Sequence, residues 1–373
     1  MRNRIAIIHF SPLELYPPVQ NLLRLLEQKN ENERIWVLTT QTVLKDIDIF
    51  TIDPAKIKLL RVGWSGQGVG LCKRYFTYTA FNILSVLCLL FNGVNKVLYF
   101  ETLSAYPAWF YKRFLKRRAE LFIHYHEYNS PEEYKKGMRL VRYFHKLELR
   151  LYPLSAWLSH TNIHRMSQFL KDIEPLKVSN PQLLPNYPSV NWLGKPNPPE
   201  TNVVKIVYVG AVSLDTMYIK EFADWVNTHN GSVIWDIYSS NITDAAYRFI
   251  KTLDSQRIKF CGAVNYSSLP VVLKHYQAGI ILYNGHSTNY VFNAPNKLFE
   301  YFGCGLDVWF PDVMEGSIPY LTNKTYPKIL TFNFSNLSTI DIDEALNKKG
   351  YLYQPSIFFY EIALKELIKA LAA

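Results

Sequence analysis

Short apolar runs rich in β-branched and aromatic residues alternate with amphipathic stretches along nearly the whole chain. In the first half, RIAIIHF, RIWVLTT, KIKLLRV, KVLYFE and LFIHYHEY have the length and composition of buried strands, and helical segments separate them. Such alternation predicts a parallel sheet flanked by helices. Residues 180–199, with six prolines in twenty positions, interrupt it as a semi-rigid connection. The pattern then restarts with VVKIVYVG, SVIWDIYSS, RIKFCG, AGIILYN and LDVWF. The expected architecture is α/β, with two tandem Rossmann-like, doubly wound domains and a ligand cleft between them. The expected boundaries are 1–187 for the first domain, 188–201 for a linker and 202–352 for the second domain. Residues 353–373 carry a strong helix former with one apolar stripe, expected to pack back on the first domain. FTYTAFNILSVLCLLF (76–91) is shorter than the roughly 20 residues of a bilayer span and is expected to be a buried helix, with membrane insertion the alternative.

Composition narrows the class. With 373 residues, 49% hydrophobic and 19% charged, the chain can bury two cores and is not a disordered protein. Cys72, Cys88, Cys261 and Cys304 form no C-x-x-C pair, which argues against a zinc knuckle or a disulfide framework and for reduced thiols. MRNRIAIIHF reads as a first strand rather than a signal peptide. The net charge of +10 is unevenly divided. Residues 1–200 hold 27 Lys+Arg against 16 Asp+Glu, and residues 201–373 hold 14 against 15. Much of the excess lies in 111–120 and 134–153, where basic residues alternate with apolar ones at helical spacing. That surface suits an anionic membrane face or anionic substrate, or is simply a solvated helix face. No nucleic-acid-binding signature accompanies it.

Several motifs carry little chemistry. GWSGQGVGL (63–71) has Gly66 and Gly68 but Leu71 beyond them, and it lacks an acidic ribose partner, so it is a poor dinucleotide fingerprint. The acidic triplets 46–48 and 341–343 read as surface acids at loop edges. FIHYHEYNSP (122–131) places His124 and His126 on one face of a strand and ends in ionisable groups at a sheet's carboxyl edge. It fits either a catalytic edge or a capping cluster that satisfies buried backbone. No third ligand for a metal accompanies it.

NAPNKLFEYFGCG (293–305) follows the strand AGIILYN and a polar loop, so its helix starts at a carboxyl edge of the second sheet. Pro295 suits a first turn, where its missing donor costs nothing. Asn296, Lys297 and Glu300 share one side, expected to face solvent, while Leu298, Phe299 and Phe302 point inward. Free amides with Lys297 suit a phosphate, and Glu300 suits both hydroxyls of a ribose. By spacing alone, Lys297 and Glu300 also read as a surface ion pair.

These residues, together with IKFCGAVNYSSLPVVLKHYQAGIILYN, VYVGAV, LLPNYP and HYHEY, resemble GT-B fold glycosyltransferases, especially those of family four with a Pro-Asn-Lys-Leu-Phe-Glu-Tyr block. The resemblance implies transfer of a sugar from a UDP- or GDP-linked donor to a glycan or lipid-linked acceptor, with retention, in cell-surface polysaccharide synthesis. No metal or resident cofactor is implied. It assigns donor binding to Gly210, Gly262, Val264, Asn293, Pro295, Asn296, Lys297, Leu298 and Glu300. Within that set, Glu300 meets the ribose, Asn296 and Lys297 the diphosphate, and the turn at Gly262 to Val264 the base. His126 corresponds to a contact of the transferred sugar, and Glu127 is a candidate general base. The chain departs from the pattern at Phe292, where relatives carry a second glutamate. Its loop GAVSLDTM has no basic residue, Gly305-Leu306-Asp307 replaces Gly-x-Pro, and SPLELYPP is not glycine-rich. The expected setting is cytoplasmic, peripheral to the inner face of the membrane through the basic first domain. A nucleotide-sugar epimerase and a non-catalytic glycan-binding protein are the alternatives.

Overall fold

A computed structural model describes residues 3–29, 33–42, 48–65, 69–195, 203–229, 231–253 and 256–373. Gly66 and Gly68 of the glycine-rich stretch, two residues of the first acidic triplet, and 196–201 of the proline-rich connection lie outside the described residues. The chain divides into two compact units, Met1–Asn186 with Tyr360–Ala373, and Tyr187–Phe359.

The first unit is built on strands β1 (Arg4–His9), β2 (Arg34–Thr42), β3 (Ile57–Ser65), β4 (Lys96–Phe100), β5 (Glu120–Tyr125), β6 (Trp157–His160) and β7 (Pro181–Leu183). They form one parallel sheet in the order β3-β2-β1-β4-β5-β6-β7. Because both faces are covered, successive residues enter different cores: Ala6, Ile8 and Tyr99 on one side, Ile5, Ile7 and Leu98 on the other. The second core also takes Leu364, Leu367 and Leu371 of the C-terminal segment. Buried Lys96 donates to the Ala370 carbonyl at 2.8 Å, satisfying the end of that last helix, Lys365–Ala372.

In the second unit the strands are β8 (Val204–Val209), β9 (Val233–Tyr238), β10 (Ile258–Gly262), β11 (Ala278–Ile280), β12 (Asp307–Pro311), β13 (Thr325–Tyr326), β14 (Ile329–Phe332) and β15 (Leu352–Tyr353). The main sheet is parallel, β10-β9-β8-β11-β12-β14, and β13 pairs separately with β15. Each main sheet reverses its winding beside its first strand, between β1 and β4 and between β8 and β11. Such switch points are where doubly wound sheets bind ligands, outside the carboxyl ends of the strands.

The reading of 76–91 as a buried helix is corrected. The helix Leu71–Phe91 buries Tyr78, Phe81, Asn82, Ser85, Cys88 and Leu89 at helical spacing, and Phe81 and Leu89 reach the core beside Ile8 and Tyr99. Its other face exposes Tyr75, Phe76, Ile83, Leu84, Leu87, Leu90 and Phe91, with Phe76 at 75% and Phe91 at 80%. The expectation rested on a stretch shorter than a bilayer span, but the helix runs 21 residues, long and apolar enough by length and composition to cross a membrane, and the sheet covers only one stripe of it.

Candidate functional site

In the second unit, the helix Asn296–Gly303 is held by its own aromatic residues. Leu298, Phe299, Tyr301 and Phe302 are buried, and the Tyr301 hydroxyl accepts the Val209 N–H at 2.8 Å, pinning the helix to the end of β8. Gly279 of β11 makes room for that ring, because a Cβ there would lie 2.2 Å from it. Pro295 stands just before the first turn, at the cap position with φ −73° and ψ 154°, rather than within it. It offers no capping side chain, so the first amides of the helix have no side-chain acceptor.

Lys297 and Glu300 are not solvent-facing; each is 8% exposed. The expected polar side of the helix is covered because Tyr208, Tyr283 and Tyr266 converge on it. The Lys297 ammonium donates to the hydroxyls of Tyr208 at 3.2 Å and Tyr283 at 3.1 Å, and lies 4.7 and 4.8 Å from the centres of those rings. No carboxylate pairs with it among the described residues, so the surface ion pair with Glu300 is not formed. Burial alone would lower the Lys297 pKa, but the two tyrosines outweigh it and hold the group protonated. Gly210, with φ +140°, lets the end of β8 approach: a Cβ there would sit 2.8 Å from the ammonium nitrogen. Glu300 accepts from the Tyr266 hydroxyl at 3.0 Å. Burial pushes its carboxyl up to about 7, against the opposing effects of Tyr266 and Lys297.

The remaining residues of this half-site occupy several places. Gly262 ends β10 with φ +79°, and Val264 and Tyr266 follow it, so the β10 turn reaches Glu300 through Tyr266. The Asn293 carbonyl is fixed by the Ser317 hydroxyl at 2.9 Å. Leu298 lies wholly in the apolar core, and its N–H donates to Pro295 at 3.0 Å. Phe292 ends the short helix Thr288–Val291, and its carbonyl passes Gly316 too closely for a Cβ there.

In the first unit, His126 follows β5 and is buried against Phe100, whose ring stacks on it at 5.2 Å and 6°. Its Nδ1 lies 3.2 Å from both His124 Nε2 and Asn186 Oδ1. The amide oxygen can only accept, so Nδ1 carries the proton and Nε2 is left as a lone pair. That Nε2 is buried and has no hydrogen-bond partner among the described residues. Burial, then His9 and Arg165, push the His126 pKa down to about 3, so the ring is neutral. Glu127 beside it is exposed.

Sequence reasoning missed Glu101. It follows β4 as His126 follows β5, and its Oε1 accepts the backbone N–H groups of His126 at 2.6 Å and Glu127 at 3.4 Å. Its position after the strand KVLYFE was the available signal. The tyrosine set around Lys297 gave none, because Tyr208, Tyr266 and Tyr283 are far apart in sequence.

No protein-family model and no curated protein matches the chain. Solved structures do. The apo form of the lipopolysaccharide outer core galactosyltransferase WaaB aligns with a TM-score of 0.63 at 13% identity, over 98% of this chain and 99% of that one. HepE of Anabaena, in complex with UDP and glucose, aligns at 0.66 and 10% identity, over 99% of both chains. A putative UDP-N-acetylglucosamine 2-epimerase from Listeria monocytogenes aligns at 0.62 and 12% identity, over 100% of this chain and 96% of that one. The fold is therefore the two-domain, Rossmann-like GT-B fold.

Proposed function

We propose that the protein is a glycosyltransferase that moves a sugar from a nucleoside diphosphate donor, UDP- or GDP-linked, to a glycan or lipid-linked saccharide. The observation that carries this reading is the buried Lys297 ammonium, whose side-chain partners are neutral tyrosine hydroxyls, beside the uncapped first turn of a helix. A buried cation without a counter-ion is costly unless an anion completes the site, and a diphosphate supplies one. In this reading the helix amides at Asn296 and Lys297 meet the diphosphate and stabilise the charge that develops as it departs. Glu300 accepts the ribose hydroxyls, the turn at Gly262 to Val264 meets the base, and Gly210 lets the backbone come close. The neutral His126 accepts a hydroxyl of the transferred sugar at Nε2, and Glu127 is the candidate general base. Retention of configuration and a role in cell-surface polysaccharide synthesis belong to the same proposal. The likeness to WaaB and to HepE, the latter in complex with UDP and glucose, supports it.

We further propose that the protein sits on the inner, cytoplasmic face of an anionic membrane through its first unit. The exposed face of Leu71–Phe91 supports this. The helix packs against Ala105–Phe110 and the turn Tyr111–Leu115, where exposed Phe114 and Leu115 adjoin Lys112, Arg113, Lys116 and Arg117. Apolar side chains rimmed by basic ones are the composition of an interfacial membrane surface.

A thermal-shift panel of UDP, GDP, CMP and their sugars tests the donor reading. Stabilisation by one nucleotide in the wild type, absent in Lys297→Met, is expected; equal stabilisation in both would remove Lys297 from the donor site. The likeness to the Listeria epimerase favours a second reading, a sugar-modifying enzyme, which would convert the donor with no acceptor present.

A further inference from the structure

The first unit contains a cavity of about 330 Å³ at its switch point, lined by residues that follow β1 and β4 and by the segment after β5. Its lining includes His9, Tyr16, Glu101, Glu127, Glu133 and Tyr134, and no lysine or arginine. This is unexpected where the first 200 residues carry 27 basic side chains against 16 acidic ones.

The lining presents no cation among the described residues, and the buried ring nitrogen it contains is an acceptor. His9 is 1% exposed, and its Nδ1 lies 2.7 Å from the Ser11 carbonyl, so it must donate there. Its Nε2 is therefore a lone pair, and it has no partner among the described residues. Some nearby groups are engaged with each other: the Tyr134 and Thr102 hydroxyls pair at 2.8 Å, and the Phe10 N–H donates to Ser104 at 2.9 Å, while Ser11, Tyr16 and Asn129 add neutral polar groups to the lining. Glu101 and Glu127 add carboxylates. Glu101 is also the one non-glycine residue with positive φ, +60°, among the described residues. A buried polar atom without a partner costs free energy, so a ligand that donates to His9 Nε2 relieves a penalty the empty cavity carries.

We infer that this cavity holds the terminal residue of the acceptor and selects a neutral or amino sugar, excluding phosphorylated and carboxylated ones. This rests on the glycosyltransferase reading for the word acceptor alone; the sugar selection stands on the cavity itself. Hydroxyls donate to His9 Nε2 and the carboxylates, aromatic faces cover the apolar side of a pyranose, and an ammonium would pair with Glu101 and Glu127. A phosphate or carboxylate would face the Glu127 carboxylate and the buried Glu101 carboxyl with no cation in the described lining to offset them. Burial, then the Glu127 carboxylate, push Glu101 up to about 8, as befits a carboxyl lacking a cationic partner. The basic outer surface and the acidic cavity then have separate tasks, one for the membrane and one for the sugar.

Saturation-transfer NMR on the full chain without nucleotide tests this, with methyl β-glucoside, glucosamine and glucuronate as probes. Transfer to the first two is expected, with glucuronate at least tenfold weaker. His9→Phe should abolish transfer to the glucoside. Glu101→Gln should remove the preference for glucosamine and relax the exclusion of glucuronate. Exposed Glu127→Gln, which leaves the buried contacts intact, should shift the same ratio severalfold. Glucuronate binding as well as glucosamine, no transfer to any probe, or ratios unchanged in both glutamate variants would each overturn the inference. The nucleotide panel with Lys297→Met is independent: no stabilisation of the wild type by any nucleotide, or equal stabilisation of Lys297→Met, with sugar selection intact, defeats the donor reading alone, and lost sugar selection with the nucleotide result as expected defeats this one alone.

Discussion

In the first unit, the helix Leu71–Phe91 leaves Phe76 and Phe91 in solvent, whereas in the second unit the helix Asn296–Gly303 draws Lys297 and Glu300 under cover. Each departs from the ordinary partition of apolar residues inward and charges outward, in opposite directions. Exposed apolar surface gains by meeting another apolar phase, and buried charge gains by meeting an opposite charge or a dense set of hydrogen bonds. In the reading proposed above the two helices have different partners, a membrane for the first and a charged small molecule for the second. Neither requirement comes from helix stability, which in both cases is met by an aromatic or aliphatic stripe packed on a sheet.

The comparison can first be sharpened within the long helix. Phe81→Ala, at a fully buried position, should cost about 3–5 kcal/mol in chemical denaturation. Phe76→Ser, at a position 75% exposed, should stay within about 0.5 kcal/mol of wild type. A comparable loss at both would show that the outer face is packed in solution.

Lys297→Met should lower nucleotide affinity on the order of 100-fold by calorimetry, since a buried charge-assisted contact to phosphate is lost. Its melting temperature without ligand should change little, because the methionine gives up the ammonium's contacts with Tyr208 and Tyr283 together with its desolvation cost. A lower melting temperature with nucleotide affinity intact would make Lys297 a structural residue and end the contrast.

Replacing Phe76, Ile83, Leu87 and Phe91 together by serine should reduce flotation with anionic vesicles about tenfold or more, with no change in nucleotide affinity. Undiminished flotation would leave the basic residues alone as the membrane contact.

The smallest effect concerns pH. With its folded pKa near 7, raised by burial, Glu300 favours the protonated form in the native state. Its contribution to stability is therefore present below the unfolded carboxylate range, about 4.3, and is lost as pH rises through about 7. Nucleotide affinity should run the other way, rising severalfold from pH 6 to 8 as the carboxylate that accepts ribose hydroxyls forms. Glu300→Gln should flatten that profile; an unchanged slope would assign it to another group.

Much of the fold was legible in the chain because strands buried on both faces are continuous apolar runs. The strands around RIAIIHF, KVLYFE and VVKIVYVG are examples, and the helix from Asn296 was legible by its spacing. Five strands were not. β6 has four residues between helical stretches, β7 has three within the proline-rich segment, and β13, β14 and β15 have two, four and two beyond the last expected strand. Each is too short for periodicity to separate it from a helix turn. For the site, HYHEY and PNKLFEY marked the two sheet edges, but Glu101 stood alone at the end of its strand and looked like any surface acid.

The amino-acid sequence by itself determined the alternating pattern, the uneven charge and the placement of His126, Lys297 and Glu300 at carboxyl edges, because these follow from local periodicity and order along the chain. Only the tertiary structure decided that Lys297 is covered by Tyr208 and Tyr283, that Glu101 and His9 share a cavity, and that one side of Leu71–Phe91 is left exposed. Those facts depend on contacts between residues tens to hundreds of positions apart, and burial is a property of what packs against a side chain, not of the side chain.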